Sequence, residues 1–369
     1  MRVKYDYQIF IAQKYGGISK YFSYLARELN KLNVQAEIVP LIHINEYIRK
    51  DKYLRGIKLN IKSRIIIRLF KYLNMGIDLF FYRKFNYDIV HKTYYSVISG
   101  SSSPLHSKKI ITVYDMTHEI YPEYFKDSKK VSLNKLEACN NADQIICISE
   151  STKNDLIRLF NIEKKKINTV YLGIDRNIFK NLEKRSRFTK KFGHYILYVG
   201  QRSGYKNFSY IFNTYINNRE LNKNFNIVVF GGEKFSHKEM DTIKAKKLED
   251  NFFFISGDDI LLSKIYNDAH VLVYTSLYEG FGLPVLEAMS CGCPVIAFRG
   301  SSIPEVAGDA CILLNDMKSK IKLSSNILKL RNDNKYRNLV IKKGLTQSKK
   351  FTWEKCAKKT LNVYKKAIN

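Results

Sequence analysis

SLYEGFGLPVLEAMSCGCPVI, residues 276–296, sets two carboxylates, Glu279 and Glu287, on either side of the bare run Gly280-Phe281-Gly282-Leu283. The apolar residues Val271 to Tyr274 that precede it read as a short buried strand. Pro284 suits the first turn of a helix, where its missing N–H is not needed. Leu286 to Ser290 continue that helix, and Gly292 ends it. A strand therefore passes into a helix through a loop whose amides face outward, a geometry that donates hydrogen bonds to ligand oxygens. Glycine allows close backbone approach. An ionised carboxylate accepts from both hydroxyls of a vicinal diol. Two readings stand on local chemistry alone: a grip for a polyhydroxylated ligand, or an acid near a helix start complementing its dipole.

Outward from this stretch, strand-like and helix-like segments alternate in two series. The first has an apolar run from Val3 to Ile11, expected to be a strand, then Gly16-Gly17. A helix carrying Ile18, Phe22, Leu25 and Leu29 follows. Further strands are expected at Asp88–Val90, Ile110–Tyr114 and Gln144–Ile148. After the last of these, Thr152 and Asp155 suggest a helix N-cap with an acidic first turn. The pattern resets near Asp175. Strands are then expected at Tyr195–Val199, Asn226–Phe230, Phe252–Ile255, His270–Tyr274 and Pro294–Phe298, and a last helix at Trp353–Ile368. Repeated βαβ units predict parallel sheets, so the fold class is α/β with two doubly wound domains joined near residue 175. Ligands of such sheets bind beyond the carboxyl ends of the strands.

The chain has 369 residues and a formal net charge of +29. That balance favours anionic partners, although the lysine is spread throughout, as compositional bias would also produce. No nucleic-acid-binding motif accompanies the charge, so no nucleic acid is expected as a partner. The six cysteines form no CxxC pair and no zinc spacing, which points to buried reduced thiols and a cytoplasmic address. The start, MRVKYDYQIF, has no apolar signal core, and no run reaches membrane-spanning length. Segment 46–85 mixes Arg49, Lys50, Lys52, Arg55, Lys58, Lys62, Arg64, Arg68 and Lys71 with Ile65, Ile66, Ile67, Leu69, Phe70, Leu73, Phe80 and Phe81. It reads as a basic amphipathic helix that lies on an anionic membrane surface, or as a pair of ordinary surface helices.

Three further loops could carry chemistry. In VGQRSGYKNF, residues 199–208, Arg202 and Lys206 could hold a diphosphate or be solvated cations. No Asp-x-Asp follows a strand to hold a metal for the same task, so no metal and no cofactor are expected. Gly16-Gly17 could bring backbone near a ligand or make a tight turn. In TVYDMTHEIYPEYF, residues 112–125, His118 beside Asp115 and Glu119 could position a sugar hydroxyl or be structural. His91 is a weaker candidate of the same kind.

These blocks, EGFGLPVLE with AMSCGCPVIAF and SSIPEVAGDA, resemble the retaining glycosyltransferases of family 4. VGQRSGYKNF, YGGISKYFSYLARELN, DIVHKTYYS, ADQIICISESTKNDL and VYLGIDRNIF fall in that family's order. The resemblance implies the GT-B fold, two Rossmann-like domains facing a cleft. Residues 1–175 would bind the acceptor and 176–348 the nucleotide-sugar, and 349–369 would form a helix crossing back to the first domain. It implies that Glu287 accepts from ribose hydroxyls. Glu279 and the amides of Phe281, Gly282 and Leu283 would hold the transferred sugar. Arg202 and Lys206 would hold the diphosphate, and the Gly17 region would close over it. Many members have His-Asp where this chain has Tyr114-Asp115, which leaves open whether His118 substitutes.

The expected function is a retaining, metal-independent hexosyltransferase that moves a hexose, with mannose as the favoured case. The donor is a nucleotide-sugar, and the acceptor a growing lipid-linked surface glycan of O-antigen or capsule type. Such an enzyme would sit on the inner face of the cytoplasmic membrane. The alternatives are a nucleotide-sugar epimerase of similar fold, and a basic nucleic-acid-binding protein argued from charge alone.

Overall fold

The computed structural model describes residues 1–38, 42–48, 56–60, 63–84, 86–95, 106–182, 186–316 and 319–369, without the side chains of 64, 79–84 and 187–189. Arg49, Lys50, Lys52, Arg55, Lys62 and Phe85 of the basic segment lie outside the described residues, as do the side chains of Arg64, Phe80 and Phe81. The chain divides into two compact units, Met1–Gly173 with Thr352–Asn369, and Ile174–Phe351.

The first unit carries β1 (Arg2–Tyr5), β2 (Gln35–Ile38), β3 (Ile42–His43), β4 (Ile57–Lys58), β5 (Ile89–Lys92), β6 (Lys108–Val113), β7 (Gln144–Cys147) and β8 (Ile167–Thr169). Six of these form a parallel sheet in the order β2-β1-β5-β6-β7-β8, and β3 pairs with β4. The expected strand over Val3–Ile11 is shorter: β1 stops at Tyr5, and Gln8–Ala12 is a helix. Asp6 ends the strand, because its carboxylate accepts from the amides of Gln8 and Thr93. An apolar run of that length does not reveal its own period. The helix at Glu150–Phe160 is capped by Ser149, whose Oγ accepts from the Thr152 amide, and not by Thr152 as expected.

The last helix, Trp353–Ile368, belongs to this first unit. Trp353 stacks on Tyr24 with ring centroids 5.1 Å apart. Gly173 is required at the crossing, since a Cβ there would lie 2.2 Å from the Trp353 amide nitrogen. Tyr364 Oη lies 3.0 Å from Tyr5 Oη and 2.7 Å from His91 Nδ1, and His91 Nε2 lies 2.8 Å from Thr112 Oγ1. Both ring nitrogens of His91 are thus used inside the core, and burial lowers its pKa to about 3. This neutral histidine joins strands to the terminal helix.

The second unit carries β9 (Tyr195–Val199), β10 (Asn226–Phe230), β11 (Phe252–Ile255), β12 (Val271–Tyr274), β13 (Val295–Phe298) and β14 (Ile312–Leu314). All pair in parallel in the order β11-β10-β9-β12-β13-β14. Both faces of this sheet are buried: Ile196, Val229, Val271, Val273 and Ile296 fill one, and Leu197, Val228, Leu272 and Val295 the other. The chain winds to one side of β9 through β10 and β11, then returns to the other side at β12. The order reverses between β9 and β12, and ligands of open α/β sheets bind at such a switch point, beyond the carboxyl ends of the strands. All six cysteines are free, and five are buried.

Candidate active site

The loops that leave β9 and β12 are VGQRSGYKNF and SLYEGFGLP, the two stretches singled out in the sequence. They meet: Lys206 Nζ lies 2.6 Å from Glu279 Oε1, with side chains 22% and 11% exposed. Backbone contacts tie the two loops to each other and to residues 301–302. The Lys206 carbonyl accepts from Tyr198 Oη at 3.2 Å, and the Leu277 amide donates to the Tyr205 carbonyl at 2.8 Å. Thr275 Oγ1 donates to the Asn207 carbonyl at 2.9 Å. The Glu279 amide donates to Ser301 Oγ at 2.8 Å, and Ser302 Oγ donates to the Glu279 carbonyl at 2.8 Å. Ser301 takes φ 44°, a left-handed conformation uncommon outside glycine. Burial, and after it the charge of Glu279, push the Tyr274 hydroxyl well above its ordinary range, so it stays protonated beside that carboxylate.

The helix after this loop runs Leu283–Ser290 with Pro284 in its first turn. Its leading amide, on Leu283, has no partner within the helix. Gly282 caps it at φ 92°, and a Cβ there would meet Ile303 Cδ1 at 2.6 Å. Gly280 and Phe281 complete the turn, with the Phe281 ring buried and 5.8 Å from that of Phe351. Glu287 lies one turn into the helix, buried, and accepts from Tyr266 Oη at 3.3 Å. The carboxylates of Glu279 and Glu287 therefore sit in different surroundings, one facing a cation and the other a phenol.

Arg202 goes elsewhere. Its Nε donates to Glu239 Oε1 at 3.0 Å and its Nη2 to the Lys234 carbonyl at 2.6 Å, with the guanidinium 4.8 Å from the Phe235 ring. Burial pushes the Glu239 carboxyl up, but hydrogen bonds from Arg202 and the Ser236 amide outweigh it and hold the pKa below the usual value. Arg202 thus fastens the loop bearing Lys206 to residues 233–239, and its direct use by a diphosphate requires the Glu239 pair to open. Gly232 (φ 71°) brings the neighbouring loop close, since a Cβ there would lie 2.8 Å from the Gly200 carbonyl oxygen.

The remaining candidates lie in the first unit. Gly16 caps the Gly17–Lys31 helix. His118 sits in the short Thr117–Ile120 helix with its ring 4.2 Å from Phe125, and burial lowers its pKa. It lines a cavity of about 340 Å³ with Glu119, Ser128 and Lys129 among others. Tyr114 directs its hydroxyl to the Thr93 carbonyl at 2.9 Å. Lys135, buried, donates to the Asp115 carbonyl and to Glu119 Oε2 at 2.9 and 2.7 Å. Among the described residues no group of three or more His, Cys, Asp or Glu is arranged to hold a metal ion.

Sequence reading missed Ser301, Ser302, Tyr266 and Thr275 as parts of this site. Only the serine pair carried a local signal, small hydroxyl residues at the start of the next loop.

The parallel sheet that reverses order beside this carboxylate–lysine pair and helix N-terminus is that of a doubly wound α/β domain, with the pair at its switch point. Comparison with known proteins carries this further. Residues 15–177 match the model of Glycosyltransferase Family 4, and residues 179–347 that of Glycosyl transferases group 1. The O-antigen chain mannosyltransferase B of Escherichia coli is 31% identical over 268 residues, 70% of each chain. Among solved structures, the sucrose-phosphate synthase (tll1590) of Thermosynechococcus elongatus superposes with TM-score 0.79 at 18% identity over 99% of this chain and 98% of its own. Anabaena Alr3699/HepE, in complex with UDP-glucose, gives TM-score 0.74 at 14% identity over 99% of this chain and 100% of its own. The chain belongs to glycosyltransferase family 4 and has the GT-B fold, and it is a glycosyltransferase.

Proposed function

We propose that this enzyme transfers a hexose, with mannose as the first choice, from a nucleotide-sugar to a growing lipid-linked surface glycan of O-antigen or capsule type. The anomeric configuration is retained and no metal takes part. The relative named an O-antigen chain mannosyltransferase supports the sugar and the glycan class. One observation supports the chemistry above all: Lys206 and Glu279 face each other at 2.6 Å where the sheet reverses order.

On this reading the pair is a ligand site closed on itself. A nucleotide-sugar brings a diphosphate for Lys206 and sugar hydroxyls for Glu279, so binding exchanges one internal ion pair for two ligand contacts. Glu287, oriented by Tyr266, accepts from the ribose hydroxyls. The amides of Phe281, Gly282 and Leu283 turn toward the sugar end. In the first unit, Gly16-Gly17 approaches the phosphates, and His118 positions a sugar hydroxyl. As the bond from C1 to the diphosphate breaks, the sugar gains oxocarbenium character and the departing oxygen gains charge. Lys206 and the helix N-terminus stabilise that charge, with Arg202 holding their loop in place. A departing phosphate oxygen takes the proton of the acceptor hydroxyl, which attacks from the same face. The enzyme works at the inner face of the cytoplasmic membrane, where a lipid-linked acceptor is found.

The test is incubation with GDP-mannose, UDP-hexoses and dTDP-deoxysugars, each with and without a lipid-linked oligosaccharide acceptor. Product anomers are assigned by NMR. Transfer with retention in the presence of chelator is the expected result. Inversion at C1 or a metal requirement overturns the mechanism, and acceptor-independent conversion of the donor identifies an epimerase.

A further inference from the structure

The basic segment 46–85 holds a 21-residue helix, Arg64–Lys84. Its inward face is mixed: Ile67, Phe70 and Ile77 are partly buried, and the two fully buried residues are polar. Asn74 is buried and bonds both the amide and the carbonyl of Ile42, at 3.1 and 2.8 Å. Asp78, also buried, pairs with the buried Lys4 of β1 at 2.8 Å, and Lys4 Nζ donates to the Asp78 carbonyl as well. These contacts fix the rotation of the helix about its axis.

Its outward face is apolar. Ile65, Ile66, Leu69, Tyr72 and Leu73 are 75%, 42%, 60%, 49% and 52% exposed. Their spacing, i, i+1, i+4, i+7 and i+8, makes one continuous stripe. An amphipathic helix on a globular domain turns such a stripe to the core. Here the polar anchors turn it to solvent, and contiguous exposed patches of that kind mark interaction surfaces.

Charge selects the occupant. Asp78 is the only acidic residue of the helix, and it faces inward to Lys4. Arg68 is exposed at one edge of the stripe, and Lys71, half-buried, lies further round the helix on that same side. The stripe is thus bordered by cations along one edge, with no exposed acid beside it. A second copy of this chain would bring those cations against each other, a like-charge contact that opposes pairing. An anionic bilayer surface accepts both parts: lipid tails for the isoleucines and leucines, headgroups for Tyr72 and the cations.

We propose that the Arg64–Lys84 helix docks on an anionic membrane with Ile65, Ile66, Leu69, Tyr72 and Leu73 entering the interface. This deepens the reading of a lipid-linked acceptor and rests on it for the biological membrane involved. The test is sedimentation of the full chain with vesicles of phosphatidylglycerol and phosphatidylethanolamine, against vesicles of phosphatidylcholine. Binding to the anionic vesicles is expected, and the double variant Leu69→Glu/Leu73→Glu lowers it by about tenfold or more. Arg68→Glu weakens binding to anionic vesicles severalfold. In Tyr72→Trp, emission shifts to the blue on adding anionic vesicles.

These substitutions are at exposed positions, and circular dichroism checks the fold. Equal binding of wild type and the double variant, or no spectral shift in Tyr72→Trp, overturns the proposal. So does a dimer seen by light scattering that the double variant dissolves while vesicles go unbound. Nucleoside-diphosphate affinity is measured on the same samples. Lost vesicle binding with intact nucleotide affinity separates this surface from the donor site, and unchanged vesicle binding in an enzyme that fails every donor leaves the surface standing alone.

Discussion

Glu279→Gln separates the two halves of the proposed site because it should move them in opposite directions. In the wild type Lys206 Nζ is bonded to Glu279 Oε1 at 2.6 Å, in a pair with side chains 22% and 11% exposed. A free nucleoside diphosphate must take the ammonium from that carboxylate. The glutamine amide is nearly isosteric, and the backbone at this position stays pinned by Ser301 and Ser302. A partly buried, charge-assisted contact of this kind contributes about 1 kcal/mol. Freeing Lys206 from it should tighten UDP or GDP binding roughly fivefold. Transfer should fall by about a hundredfold or more. A carboxylate accepts from two sugar hydroxyls at once, whereas an amide offers one acceptor, and the loss is felt as charge develops. Titration calorimetry with UDP, GDP and dTDP reads the first effect, and product formation from the best donor reads the second. Diphosphate affinity that falls tenfold, or transfer within threefold of wild type, would refute the reasoning.

The other expectations concern the supports. Lys206→Ala weakens nucleoside-diphosphate binding by roughly tenfold to a hundredfold, through loss of a charge-assisted contact; unchanged affinity removes Lys206 from the site. Tyr266→Phe removes the hydroxyl bonded to Glu287 and should weaken nucleoside binding by about 1 kcal/mol while leaving inorganic diphosphate binding alone; equal losses for both ligands mean a general structural effect. Gly173→Ala places a methyl 2.2 Å from the Trp353 amide nitrogen, so the terminal helix must shift and the melting temperature of the first unit drop by several degrees, roughly 2 kcal/mol or more. His91 has its folded pKa lowered to about 3, well below the unfolded value near 6.5. Between those values the unfolded chain binds the extra proton, so His91 stabilises the fold above about pH 6.5, and that contribution shrinks as pH falls toward 3, by up to about 1.4 kcal/mol per unit. Thermal melts from pH 7 to pH 4 should show this slope, and His91→Gln should flatten it.

Much of the second unit was legible because its strands are buried on both faces. Continuous apolar runs such as Tyr195–Val199 and Asn226–Phe230 coincide with β9 and β10 to the residue, because no alternation has to be resolved and Gly or Asn bounds each run. The first unit was less so. β1 ends at Asp6, whose carboxylate bonds Thr93 from the far side of the sequence, and no window around Val3–Ile11 contains that partner. Five short strands, β2, β3, β4, β8 and β14, went unread because two to four residues carry too little pattern. In the candidate site, Glu279 and Lys206 were each visible as chemistry in a loop, since bare glycines and isolated charges at a strand end are local signals. Arg202 was equally visible, yet it faces Glu239, because its direction depends on a loop more than 30 residues away in sequence.

Sequence by itself determined the layers: alternating runs with strand and helix periods, a reset near residue 175, and a helix opened by Pro284 after a glycine turn. These follow from local sterics and from the need to bury apolar surface, both properties of neighbours along the chain. Only the tertiary structure decided which charges meet. Lys206 and Glu279 are 73 positions apart, and they touch because β12 pairs with β9 and not with β11. Likewise, only packing decided that the Arg64–Lys84 helix turns Asn74 and Asp78 inward and Ile65, Ile66, Leu69 and Leu73 out. The periodicity of that helix marks two faces, but the partner that claims one of them, Lys4 on β1, comes from a distant part of the chain.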